Sequence, residues 1–284
     1  MLPSTNVTRA AASRTFSTLL GDFNIDNGGD PKSGLGLTVG LGATYRLPLE
    51  SGRTLQLGGQ LGRTLYEDDA QRYWSGNLGA DIIARRPRST VQYGLAISRT
   101  VYDQNGPSDT DSPDAWRYTL SASHSQDLET ATRSLKARLE YRDYVEQDAK
   151  DGPFLSFGAT WSKPAGSRGR LQWGFGLERH FPELAYQRNL GGTVHLGYSH
   201  LLTDTFRLSG TASTTYRFYD TDFGAVDYAR EDKINRLAIS VADSRLRLAG
   251  AMPTFSCTYT DHMSNIALYE TDYTDCSITL SFAF

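Results

Sequence analysis

Residues 35–47 read LGLTVGLGATYRL. Leu35, Leu37, Val39, Leu41, Ala43, Tyr45 and Leu47 fall on one parity, and Gly36, Thr38, Gly40, Gly42, Thr44 and Arg46 on the other. Successive side chains of a strand point to opposite faces, so the segment predicts a strand with one apolar and one small or charged face. Residues 131–145 sharpen the pattern: Leu135, Ala137, Leu139 and Tyr141 alternate with Lys136, Arg138, Glu140 and Arg142. Further period-two segments lie near 54–66, 72–86, 89–103, 115–126, 152–163, 169–181, 189–200, 205–219, 232–243, 253–263 and 271–284. A weaker one lies near 14–25, where Leu19, Phe23 and Ile25 oppose Asp22 and Asn24. The prediction is about 14 strands.

The connections alternate in length. Short ones are expected at 48–53, 86–88, 127–130, 164–168 and 201–204, and longer ones at 26–34, 103–114, 146–151, 182–188, 220–231 and 262–270. Short turns at one end and long loops at the other describe a transmembrane antiparallel up-and-down β-barrel. A soluble sandwich also alternates, but its large residues need a partner sheet. Here the inward face is small and Gly-rich, and the greasy face has no partner. No blade-length repeat suggests a propeller. The last residues, SITLSFAF, place Ile278, Leu280, Phe282 and Phe284 on the lipid parity. A closing Phe suits the aromatic girdle at the periplasmic interface.

Composition changes this picture little. The chain has 284 residues, a formal charge of −3, 27 Gly and 16 Tyr, with 24 Arg against 5 Lys. Mean hydropathy is −0.44. No run of roughly 18 apolar residues is present, so no spanning helix is expected. No basic stripe suggests nucleic acid. The opening MLPSTNV has no signal-peptide pattern, so the expectation is a removed signal or a barrel cut from a longer protein. Residues 1–13 are expected as a periplasmic or lumenal segment and 14–284 as the barrel.

The inward parity gathers Arg46, Arg117, Lys136, Arg138, Glu140, Arg142 and Arg217 as lumen-lining residues. The lipid parity is broken near the outer ends of four strands, by Arg63, Arg99, Asp143 and Arg179. A lipid-facing Arg costs about 2–4 kcal/mol at the midplane and little at the interface. Arg63, Arg99 and Arg179 are therefore candidates for lipopolysaccharide contact, with snorkelling to water as the alternative. The long loops are acidic, with Asp103, Asp109, Asp111 and Asp114 in one and Glu67, Asp68 and Asp69 in another. Simple solvation, a divalent cation or a basic partner each fit them. No calcium motif is present, so no metal and no cofactor are expected.

Cys257 and Cys276 share the apolar parity of the last two strands. A hairpin turning near 266–267 would set them opposite each other, at a separation that permits a disulfide. Two free thiols facing lipid are the other outcome. An enzyme needs an organised nucleophile and base. His195 and Ser199 share a face but stand about 13 Å apart at strand rise. The remaining histidines (His124, His180, His200 and His262) belong to no catalytic motif, so no catalytic residue is expected.

The C-terminal third carries REDKINRL, then Gly250 and Pro253 ahead of a strand with Tyr259, then SNIALY (Ser264 to Tyr269) and a closing strand ending in Phe. With PSTNVTRA, SGLGL and YRLPL near the start, this resembles the barrel domain of the surface lipoprotein assembly modifier family. The alternating C-terminal strand ending in Phe also resembles the signature read by the Gram-negative outer-membrane assembly machinery. Two features depart from the family: no basic residue lies near the final Phe, and ETDYTD is acidic. The resemblance implies a bacterial outer-membrane translocator that helps deliver lipoproteins or related secreted proteins to the cell surface. It implies outer-membrane lipid and lipopolysaccharide as surroundings, a lipoprotein or secreted-protein cargo, and a periplasmic helical-repeat domain as partner. Ser264, Asn265 and Tyr269 are the most family-like positions. A passive porin-like channel for small anionic solutes is the alternative reading, and an adhesion or receptor barrel acting through its acidic loops is a third.

Overall fold

The structure, a computed structural model, describes residues 4–11, 36–66, 72–103, 114–145, 148–223, 227–246 and 252–281. Fourteen strands among them close into one barrel. In chain order they are β1 (Ser4–Ala11), β2 (Gly36–Leu49), β3 (Arg53–Tyr66), β4 (Tyr73–Arg86), β5 (Ser89–Tyr102), β6 (Ala115–Asp127) and β7 (Thr132–Tyr144). There follow β8 (Gly152–Ala165), β9 (Gly169–His180), β10 (Asn189–Leu201), β11 (Phe206–Asp222), β12 (Ala229–Asp243), β13 (Met252–Ser264) and β14 (Thr271–Ser281). Each pairs antiparallel with its chain neighbours, and β1 pairs with both β2 and β14. Closure leaves no sheet edge, which is what lets strands cross a bilayer. Among the described residues no helix is long and apolar enough to do so.

The first strand corrects the sequence expectation. Ser4–Ala11 was expected outside the wall, as part of the 1–13 segment, yet it forms β1. STNVTRAA holds one large aliphatic residue, Val7, so it shows no apolar alternation. Pairing on both sides supplies what the pattern lacks. Residues 14–25, Phe282 and Phe284 lie outside the described residues.

The two ends differ. Glu50–Gly52 and residues 87–88, 128–131, 166–168 and 202–205 make tight turns at one end. Gly52 and Gly166 take φ of 70° and 73° there, a conformation that glycine adopts without a Cβ clash. Residues 244–251 form the longer connection at that end. At the other end the connections, such as 103–114 and 181–188, are longer. Short turns mark the periplasmic side and longer loops the extracellular side.

The outer face is apolar. Leu57, Ala80, Leu95, Leu120, Leu139 and Leu155 are successive cross-strand partners and form an aliphatic belt. Its leucines are exposed, as are Tyr93, Tyr118, Tyr141 and Tyr259 on the same face. An apolar surface running round a whole wall is far larger than soluble monomers carry, and a bilayer covers it.

The inner face changes along the strands. Toward the extracellular end Tyr73, Tyr102, Tyr144, Tyr219 and Tyr273 point inward and are buried. They form a collar with Glu140, Asp232 and His262. Toward the periplasmic end Arg46, Lys136 and Thr211 are exposed, as are Gln60 and Asn77 farther up the wall, and a 690 Å³ cavity lies along the lumenal side of β2–β6. The interior is therefore an open vestibule below a packed collar. Glycines give its charged side chains room to lie flat. A Cβ on Gly191 would stand 2.7 Å from Cγ of Glu178, whose carboxylate crosses that glycine to reach Arg217.

Candidate functional site

The site is the lumen wall. On β6 and β7 the inward row pairs Arg117 with Arg142, Thr119 with Glu140, Ser121 with Arg138, and Ser123 with Lys136. Glu140 is 1 % exposed. It is ion-paired to Arg138, accepts from Arg142 Nε at 2.7 Å, and accepts from Thr119 Oγ1 at 3.3 Å. Arg142 also stacks 4.6 Å from the Phe154 ring centre. A buried carboxylate needs this many partners, because an unpaired one would be strongly destabilising. One carboxylate thus stands among four cations.

Farther round the wall, Arg217 Nε donates to Glu178 Oε1 at 2.9 Å, and Arg46 Nε donates to Gln56 Oε1 at 3.0 Å. Asp81 lies over Gly94, directly across from it on β5.

Alternation alone did not reveal the second cluster, at the collar. Arg230 is ion-paired to Asp232 at 2.7 Å. Asp232 also takes Tyr219 Oη at 3.2 Å and lies 3.2 Å from His262 Nε2. The guanidinium of Arg230 is enclosed by Tyr219 and Tyr269. The sequence signal was available: Tyr219, Asp232, His262 and Tyr273 all share the inward parity of their strands.

The family-like loop builds one side of this cluster. Asn265 Nδ2 donates to the Ala229 carbonyl at 2.9 Å, and its Oδ1 accepts from the Glu231 amide at 2.8 Å. Asn265 thereby continues the ladder beside the start of β12. Ser264 Oγ donates to the Glu231 carbonyl at 3.4 Å and accepts from the Ile266 amide at 3.2 Å. These bonds hold a short 3-10 turn, Ala267–Tyr269, that places Tyr269 over Arg230 and against Phe223.

The three outward arginines repeat one arrangement. Arg63 stacks 4.9 Å from Trp74 and pairs in two-pronged fashion with Asp103. Arg99 stacks 4.7 Å from Trp116 and lies 4.0 Å from Asp114. Arg179 stacks 4.8 Å from Phe181 and pairs with both carboxylate oxygens of Asp220. A lipopolysaccharide phosphate would have to compete with an aspartate for each. Asp109, Asp111, Glu67, Asp68 and Asp69 lie outside the described residues.

Cys257 and Cys276 are Cα partners and are joined by a disulfide on the outward face. The histidines do not gather. His124 lies on β6, His180 beside Phe154, His195 over Gly174, and His200 stacked on Tyr198. His195 and Ser199 face Ser213 and Ser209 at separate levels. Among the described residues no group of three or more His, Cys, Asp or Glu is placed to hold a metal ion.

A closed wall with a lipid-facing belt and a polar lumen defines a bacterial outer-membrane β-barrel. Solved structures of similar fold agree. OmpT of Vibrio cholerae superposes with a TM-score of 0.56 at 7 % identity, covering 99 % of this chain and 96 % of that one. An anion-selective porin from Comamonas acidovorans gives 0.56 at 10 % identity, covering 100 % and 99 %. The outer membrane channel DcaP of Acinetobacter baumannii gives 0.51 at 10 % identity, covering 99 % and 96 %. At these identities the likeness concerns the fold alone. No curated protein matches the chain by sequence. The model of the surface lipoprotein assembly modifier family matches residues 3–284. The chain belongs to that family.

Proposed function

We propose that this barrel is a translocator that helps deliver lipoproteins or related secreted proteins to the cell surface. The family match across the whole wall carries the reading. Barrel diameter grows with strand number, and fourteen strands enclose a lumen too narrow for a folded protein. The cargo therefore passes unfolded, leaves sideways through the wall, or needs a partner such as a periplasmic helical-repeat domain. The β1–β14 seam favours a sideways route. It pairs only Val7–Ala11 with Cys276–Leu280, the shortest ladder among the described strands.

The test is reconstitution in liposomes with the periplasmic side outward, with unfolded lipoprotein and with or without the candidate periplasmic domain. Barrel-dependent protection of cargo from external protease supports the reading. No transport by the complete system, together with steady ion conductance, overturns it in favour of a passive channel. The cationic lumen wall supports that second reading; the buried collar speaks against a permanently open pore.

A further inference from the structure

Lys136, Arg138 and Arg142 climb one inward row of β7, and Arg117 stands directly opposite Arg142 on β6. Glu140 is their only carboxylate partner among the described residues, and both its oxygens are occupied. The neighbouring lumenal carboxylates make no ion pair with this row among the described residues. Glu178 is held by Arg217, and Asp81, based on β4, reaches across Gly94 toward Ser121. Lys136, Arg138, Arg142, Arg117 and Glu140 therefore sum to a formal charge of +3. Accessibility is graded. The Arg138 side chain is 46 % exposed and Arg142 20 %, while Lys136, nearest the periplasm, is also exposed.

We propose that this row is a binding track for an acidic, extended polypeptide segment entering from the periplasmic side. This rests on the translocator reading and deepens it by naming the chemistry of the cargo segment received. The spacing argues for a polypeptide. Alternate residues of a strand repeat at about 7 Å, so Lys136 and Arg138 stand one such interval apart, and Arg142 follows two intervals on, beyond Glu140. An extended chain repeats its side chains on one face at the same interval, so two carboxylates two residues apart meet Lys136 and Arg138. Lys136 meets the segment first, Arg138 second, and Arg117 with Arg142 at the level of the collar. A carboxylate docking on Arg138 takes a free face of its guanidinium without displacing Glu140, because Arg offers five donors.

The test is equilibrium binding to the full chain in lipid nanodiscs, followed by fluorescence anisotropy. The probe is a labelled ten-residue peptide of alternating Glu and Ser, with its Lys–Ser counterpart and inorganic phosphate as the other arms. Binding of the acidic peptide is expected to weaken as salt rises. Lys136→Gln with Arg138→Gln is expected to weaken it at least tenfold, and Arg168→Gln, in the turn between β8 and β9, less than twofold. Lys136→Gln alone, at an exposed head, should give an intermediate loss and covers the case in which the double variant folds poorly. Unchanged affinity in both variants overturns the proposal. So does equal binding of the Lys–Ser peptide, or displacement of the acidic peptide by phosphate at a matched concentration of charge, which would make this a small-anion site. Transport is not part of the readout. A barrel that binds the peptide yet moves no cargo defeats the translocator reading alone, and one that moves cargo with Lys136 and Arg138 dispensable for binding defeats the track alone.

Discussion

The guanidinium carbon of Arg230 lies 3.4 Å from the ring centre of Tyr269, with the Tyr219 ring 4.6 Å away. Buried cation–π contacts contribute about 2 kcal/mol when desolvated. Tyr269 also closes one side of the collar. Tyr269→Ala is expected to destabilise the barrel by about 3 kcal/mol and to raise its ion conductance in planar bilayers. Unchanged conductance would mean that the collar does not limit the lumen there.

Glu140→Gln removes the charge that Arg138 and Arg142 share. Breaking a fully buried pair from one side costs about 3–5 kcal/mol. Here Arg138 is 46 % exposed and Arg142 20 %, so water screens the charge left behind and the expected loss is about 1–3 kcal/mol. Urea titration of the folded barrel is expected to show a loss of that size. A loss under 1 kcal/mol would indicate that water reaches Glu140.

The Cys257–Cys276 bridge closes a loop of 19 residues. Chain-entropy arguments give about 3 kcal/mol for a loop of this length. Cys257→Ser with Cys276→Ser is expected to lower stability by that amount without changing the fold. Mass spectrometry before and after alkylation should find no free thiol in the unreduced wild type.

Asp103 lies just beyond β5 at the extracellular end. Its hydrogen bonds from Arg63, reinforced by that charge, hold its carboxyl below the ordinary value of 3.8. The sign follows. A carboxyl whose folded-state pKa lies below its unfolded value contributes stability in full above the unfolded pKa, and loses it as pH falls through the folded one. The Arg63 pair should therefore survive at pH 4 and fail only in stronger acid. Carboxyl NMR titration is the check, and Arg63→Gln should return Asp103 toward its ordinary range. Asp103→Asn should release Arg63 and raise binding to lipopolysaccharide.

Much of the wall was legible from parity. Leu135, Leu139 and Tyr141 against Lys136, Arg138 and Arg142 already placed β7 with its lumenal face, because lipid on one side and water on the other enforce a period of two. Connection lengths gave the two ends. Ser4–Ala11 escaped because Val7 is its only large aliphatic residue and sheet closure, not alternation, recruits it. The collar escaped for a different reason. Arg230, Asp232, His262 and Tyr269 come from two strands and a loop, and their meeting depends on register and on the turn that Asn265 fixes. The pairing of Arg179 with Asp220 likewise crosses from β9 to β11, beyond the reach of neighbouring-residue patterns.

The disulfide determines which side of the seam can give way. Bolted to β13, β14 behaves as a door jamb. β1 hangs from that jamb by five residue pairs, and would be the leaf of any opening there. Any load applied around the hoop is carried past Cys276 into β13 and reaches its weakest joint at Val7–Ala11. Were the wall to open at this seam, the disulfide would keep the last hairpin in register, and a lipid-facing path there would have one fixed border and one movable border.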